Sequence, residues 1–158
     1  FGALAKGNLA IGNASDYAGH LIKYSFRDDQ DRAMAFNFVV PADFDTSLAM
    51  TAKVYVRLTS LPTTDESICL GINSRAIADN EVVYTGGSEG SIAAAAYDVY
   101  GWHSGDLFIA NMGTLYAGDT LGVGDFVKGA YWRESSNDFD DFPHNIDVIG
   151  ILLEGTRG

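Results

Sequence analysis

The chain has 158 residues, 47% hydrophobic and 20% charged, with 10 basic against 21 acidic side chains and so a formal net charge of −11. That length suits one domain, which buries about 70% of the surface its unfolded chain exposes and needs no disulfide or metal staple. A lone cysteine, Cys69, excludes an intramolecular disulfide framework and a multi-cysteine metal site. The acidic excess disfavours nucleic acid and anionic membrane as partners, because such binding is built from Lys and Arg neutralising phosphates.

Residues 1–20 read as an N-terminal arm and 21–158 as a single domain. The opening Phe1–Gly7 lacks the charged-then-apolar layout of a signal peptide, and Asn13-Ala14-Ser15 matches a glycosylation pattern that is common by chance. The longest apolar run, Val148–Leu153, is strand-sized, far short of the ~20 residues that span a bilayer. The chain therefore reads as soluble.

From residue 21 onward the dominant signal is period two. Strands are expected over Leu21–Phe26 and Ala33–Val40, the latter ended by Pro41, whose missing N–H suits a strand exit. The clearest is Met50–Leu58, where Met50, Ala52, Val54, Val56 and Leu58 alternate with polar residues, one face on a core and one toward water. Ser67–Ile72 places Ile68, Leu70 and Ile72 on one face and Cys69 on the other. Further strands are expected over Glu81–Tyr84, Asp106–Ala110, Phe126–Glu134 and Asp147–Glu154. Turn-rich clusters at 27–31, 62–66, 86–90 and 135–138 separate them. Short strands with Gly, Asp, Asn and Ser turns predict an all-β antiparallel sandwich. The alanine run in Ser91–Tyr97 has helical propensity and gives a strand little to pack with, so at most one short helix is expected near 91–97.

Four constellations could carry chemistry. Gly86-Gly87-Ser88-Glu89-Gly90 matches the G-x-S-x-G elbow that lifts a nucleophilic serine at a strand-to-helix turn, and His144 follows it in chain order. A glycine-rich hairpin loop is the alternative and the better fit to an antiparallel chain. Asn137-Asp138-Phe139-Asp140-Asp141 offers hard oxygen ligands, so Asp138, Asp140 and Asp141 are candidate calcium ligands or acid/base carboxylates, against a plain solvated loop. An EF-hand is excluded by Pro143 and by the missing glycine and closing glutamate. Tyr97, Tyr100 and Trp102 form a candidate stacking platform for a sugar or an interface anchor, against the reading in which Trp102 lids the core. Cys69 reads as a small hydrophobe within a strand, and His20, His103 and His144 lack metal-ligand spacing. No phosphate-binding loop or dinucleotide fingerprint is present.

The order of features adds a resemblance. Phe36-Asn37-Phe38-Val39-Val40-Pro41-Ala42-Asp43-Phe44-Asp45, followed by the alternating strand Met50–Leu58, resembles the opening of small jelly-roll structural proteins of tailed bacteriophages. Ala117-Gly118-Asp119-Thr120-Leu121, then Gly129–Glu134, an Asp-rich turn and Asp147–Glu154, is similar to their closing part. The likeness spans residues 21 to 154 and departs at 85–105. It implies a jelly-roll fold and a non-enzymatic virion protein on the exterior surface: a head decoration or cement protein, often a homotrimer and contacting a major capsid protein, or a jelly-roll domain of a tail or fibre. It implies no catalytic residue and no cofactor, with calcium at the acidic loop left open. The competing classes are a carbohydrate- or receptor-binding sandwich of a tail or fibre, and a small serine hydrolase through Ser88.

Overall fold

The alternation over 50–58 places Met50, Ala52, Val54, Val56 and Leu58 in the core and leaves the residues between them partly exposed. A computed structural model describes residues 24–63, 65–79 and 90–157. Within them the chain forms β1 (Tyr24–Phe26), β2 (Arg32–Val39), β3 (Met50–Leu58), β4 (Ser67–Ile77), β5 (Gly90–Asp98), β6 (Leu107–Tyr116), β7 (Phe126–Arg133) and β8 (Ile146–Glu154), with no helix among the described residues. The strand expected over Glu81–Tyr84 and the arm over 1–20 lie outside them.

Two four-stranded antiparallel sheets result, ordered β1-β8-β3-β6 and β2-β7-β4-β5. The pairs are nested: β4 with β5, β3 with β6, β2 with β7 and β1 with β8. A long hairpin whose paired strands fall alternately into two sheets is a jelly roll, and the expected sandwich is confirmed in that form. Because the hairpin is nested, four connections meet at one end, namely 27–31, 59–66, 99–106 and 134–145. The connections at 40–49 and 117–125 lie at the other.

The expected helix at 91–97 is instead β5. It pairs with β4 from Ser67↔Asp98 to Ser74↔Gly90, with a register shift between Leu70 and Ile72. Ile92 and Tyr97, five residues apart, would stand on well-separated faces of a helix. As a strand carrying that irregularity, both pack on the core. Gain of β4's hydrogen bonds and of those two contacts outweighs alanine's helix propensity, which is a fraction of a kcal/mol per residue.

The core lies between the sheets. β3 supplies its five alternate residues, β6 adds Phe108, Ala110 and Met112, and β8 adds Ile146 and Val148. The facing sheet contributes Phe36, Ile68, Leu70, Ile72, Val127 and Tyr131. Each such large side chain is worth about 1.5–3 kcal/mol in removal from water. Gly129 sits between Phe36 and Ser74 in its sheet; a Cβ there would overlap the Phe36 ring and come 2.5 Å from Asn73 O, so only glycine leaves that ring its place. Cys69, on the face of β4 opposite Ile68 and Leu70, is buried, because the chain after β7 folds over it.

Candidate functional site

The end of the sandwich where four connections meet is laced together by side chains. Asp31 accepts from the Ser136 backbone N–H at 3.0 Å and from the Ser136 and Ser135 hydroxyls at 2.8 and 3.2 Å, tying the β1–β2 turn to the β7–β8 connection. These bonds, led by that from the Ser136 N–H, hold its carboxyl below the usual aspartate range. Ser104 Oγ donates to Thr59 O at 3.1 Å, Gly105 N to Leu58 O at 2.8 Å, and Val99 N to Glu66 O at 2.9 Å. Thr59 Oγ1 donates to Asn145 O.

Beneath these turns lies a buried ion pair. Arg133, the last residue of β7, is fully buried, and Asp140 is 1% exposed. Arg133 Nε donates to Asp140 Oδ2 at 2.9 Å and Nη2 to Oδ1 at 2.5 Å, while Nη2 and Nη1 donate to Phe142 O and His144 O, both at 2.7 Å. Asp140 Oδ2 also accepts from Cys69 N at 2.9 Å. The β7–β8 connection is thus wrapped around one guanidinium, whose donors face a carboxylate and two carbonyls. Burial first, and then the neighbouring Asp140 and Glu134 charges, push the Cys69 thiol up to about 11. It is a protonated, inert cysteine.

The candidate residues fall in different places. Asp140 is consumed by Arg133, so the acidic loop is not simply solvated. Asp141 Oδ1 accepts from Ser67 N at 2.7 Å, Asp138 is exposed, and no group of three His, Cys, Asp or Glu side chains among the described residues converges as a metal site would. Tyr97 is half-buried on the core, where desolvation raises its pKa. Tyr100 is 56% exposed and Trp102 38%. Trp102 stands edge-on to Phe108, ring centroids 5.5 Å apart, so it both lids that part of the core and shows a face to solvent. Ser88 lies outside the described residues. Gly90, which closes its motif, begins β5 at the end of the sandwich opposite His144. His103 is exposed beside Asp106, with Nδ1 3.2 Å from its Oδ2.

One feature of the loop end has no counterpart in the sequence motifs. A cleft of about 450 Å³ opens between the β1–β2, β3–β4 and β7–β8 connections. Its floor is an ion pair between Arg57 on β3 and Asp147 on β8, opposite one another in register. Asp147 is 2% exposed and Arg57 41%, and Arg57 Nε and Nη2 both donate to Asp147 Oδ2. Asp28, Ser60, Pro143, His144 and Asn145 contribute to the walls. In the sequence Arg57 shows only its outward phase within an alternating strand and Asp147 only its place in the closing part of the resemblance; ninety residues separate them.

Residues that carried the phage-protein resemblance have identifiable structural roles. Pro41–Asp45 and Ala117–Thr120 meet at the opposite end, where Asp119 N donates to Thr46 O at 2.6 Å and Asp45 N to Thr156 O at 2.8 Å. Asp119 holds a positive φ of 65°, a conformation that aspartate tolerates better than most residues. The arginine and aspartates of the closing part are Arg133, Asp140 and Asp147, members of the two ion pairs with buried carboxylates.

No family model and no curated protein matches the chain. Among solved structures it is similar to a chain of infectious bursal disease virus Gx strain, at 14% identity and a TM-score of 0.39 over 86% of this chain and 32% of that one. It is also similar to a chain of the Gt strain of that virus, at 16% identity and a TM-score of 0.38 over 95% of this chain and 36% of the other. The chain spans about a third of the length of each.

Proposed function

We propose that this chain is a non-enzymatic structural protein of a virus particle, and in the finer form a decoration or cement protein that trimerises on the exterior of a capsid, contacts the major capsid protein and stabilises the shell. The observation that carries the reading is the nested jelly-roll pairing, an architecture used by viral capsid domains as well as lectins and cupins. The resemblance to small phage jelly-roll proteins favours the first of these, and its signature residues build this chain's turns and ion pairs. Charge supports an outer position: a protein at −11 is repelled by packaged nucleic acid. Assembly would also cover sheet edges, which an isolated sandwich leaves open to mispairing.

Light scattering on the eluting peak of the full chain, with co-sedimentation against capsids of a tailed phage stripped of their decoration protein, tests this. The expected result is a species of three times the 16.9 kDa chain mass that pellets with the shells. A monomer at micromolar concentration that stays in the supernatant would overturn the reading. An active-site serine probe that labelled Ser88 would overturn its non-enzymatic part.

A further inference from the structure

We infer that the cleft floored by Arg57 and Asp147 is a binding site for a neutral saccharide, a single hexose or the terminal unit of a glycan. Its volume, about 450 Å³, falls in the range of small-ligand sites. What points to a ligand is the convergence of donors and acceptors on one hollow beside a guanidinium fixed from below. Within the described residues the side chains of Ser25, Asp28, Ser60 and Asn145 make no hydrogen bond or ion pair and are reachable from solvent, and the His144 ring stands edge-on to Phe142, centroids 5.4 Å apart. Arg57 spends Nε and Nη2 on Asp147, leaving Nη1 for a guest. Because Asp147 is buried, that guanidinium is held in one orientation before anything binds. Preorganisation of this kind lowers the ordering cost of association.

The composition of the lining selects the guest. Pro143 is the one apolar residue among the described lining residues, too little for an apolar ligand. Metal binding is disfavoured, since no three ligating side chains converge among the described residues. An anion would meet Asp28 on the wall, while Arg57, the one Lys or Arg among the described lining residues, is already paired with Asp147. A neutral polyol fits: each sugar hydroxyl is donor and acceptor at once. Asp28 accepts, Arg57 Nη1 and the Asn145 amide donate, and the serine hydroxyls serve either way. The Pro143 and His144 rings can cover the C–H face of a pyranose. This site is separate from the Tyr97, Tyr100 and Trp102 group, and the inference does not rest on the virion reading.

The test is a nuclear magnetic resonance titration of the full chain with glucose, galactose, mannose and N-acetylglucosamine, with N-acetylneuraminic acid and inorganic phosphate as anionic comparators. We expect saturable amide shifts around Asp28, Arg57, Ser60 and Asn145 with at least one neutral sugar. Asn145→Ala and Asp28→Ala should each weaken it about tenfold, the loss of one or two hydrogen bonds, whereas Trp102→Ala should leave it unchanged. Both wall substitutions remove side chains without internal partners, so their spectra should otherwise match the parent. Absence of saturable shifts with all four sugars up to about 100 mM, tighter binding of either anion than of every neutral sugar, or shifts centred on Tyr100 and Trp102 would overturn the inference.

Discussion

Asp140→Ala is the sharpest probe of how the loop end is held. The substitution removes a carboxylate that accepts two N–H groups of Arg133 and the backbone N–H of Cys69, all beneath the surface. Arg133 keeps Phe142 O and His144 O as acceptors, but its charge is left without a counter-ion in a fully buried position. Breaking a buried pair in this way costs about 3–5 kcal/mol. For a chain of this size each kcal/mol lowers the midpoint by about 2–4 °C, so Tm should fall by roughly 6–20 °C. Urea unfolding followed by circular dichroism and a thermal scan measure it, with Asp138→Ala as the exposed neighbour that should stay within about 0.5 kcal/mol. The double variant Arg133→Met/Asp140→Leu should recover part of the loss, because it removes the orphaned charge along with its partner while leaving Cys69 N, Phe142 O and His144 O without their partners. A loss under about 1 kcal/mol in Asp140→Ala, or a double variant no better than the single, would refute the reasoning.

Three further outcomes follow from buried groups and one from a surface tie. Tyr131 is buried and its hydroxyl has no hydrogen-bond partner among the described residues, so Tyr131→Phe, which keeps the ring, should be neutral or up to about 1 kcal/mol stabilising in urea unfolding; a loss above 1 kcal/mol would reveal a partner for the hydroxyl. Cys69, its thiol raised to about 11, should react with a thiol reagent at pH 8 more than about a hundredfold slower in the native protein than in urea, and Asp140→Ala should speed it by loosening the cover. Because the native pKa of this thiol lies above its unfolded value, its contribution to stability is complete below about pH 8.5 and is lost as pH rises toward 11; an alkaline unfolding series should show the decline and Cys69→Ala should lessen it. Asp31 has the opposite sign: its pKa is lowered in the native state, so its contribution is present above about pH 4 and lost as pH falls, and Asp31→Ala should flatten the acid limb of the stability profile, a limb of unchanged slope counting against the Ser135 and Ser136 tie.

How much of this was legible in the sequence depended on whether one strand face met water. β3 has one wet face, so its burial alternates residue by residue and its bounds were readable. β4 is covered on both faces through most of its length, partly by the chain that wraps Arg133, and its extension to Ile77 carried no alternation to follow. β5 was misread because four alanines report propensity, while the decisive contacts, Ile92 and Tyr97 on the core and the ladder to β4, are made with residues elsewhere in the chain. The acidic cluster looked uniform by composition, yet it holds an exposed Asp138 beside an Asp140 inside the protein. Only the return of the chain over β7 tells them apart. The Arg57–Asp147 cleft was invisible for the same reason: strand pairing, not spacing, brings β3 and β8 together.

The nested pairing of the strands also implies an order of events in time. β4 and β5 close the shortest excursion of chain, and β1, of which three residues are paired, meets β8 only when Tyr24 reaches Val148 at nearly the far end of the described chain. Closure entropy grows with the length enclosed, and topologies rich in such distant pairings fold in milliseconds to seconds rather than microseconds. Each inner pair that forms shortens the search for the next. Folding is therefore expected to zip outward from β4–β5 and unfolding to begin by release of β1, leaving the β4–β5 pair among the last structures to open and the β1 edge the first to exchange its amide hydrogens.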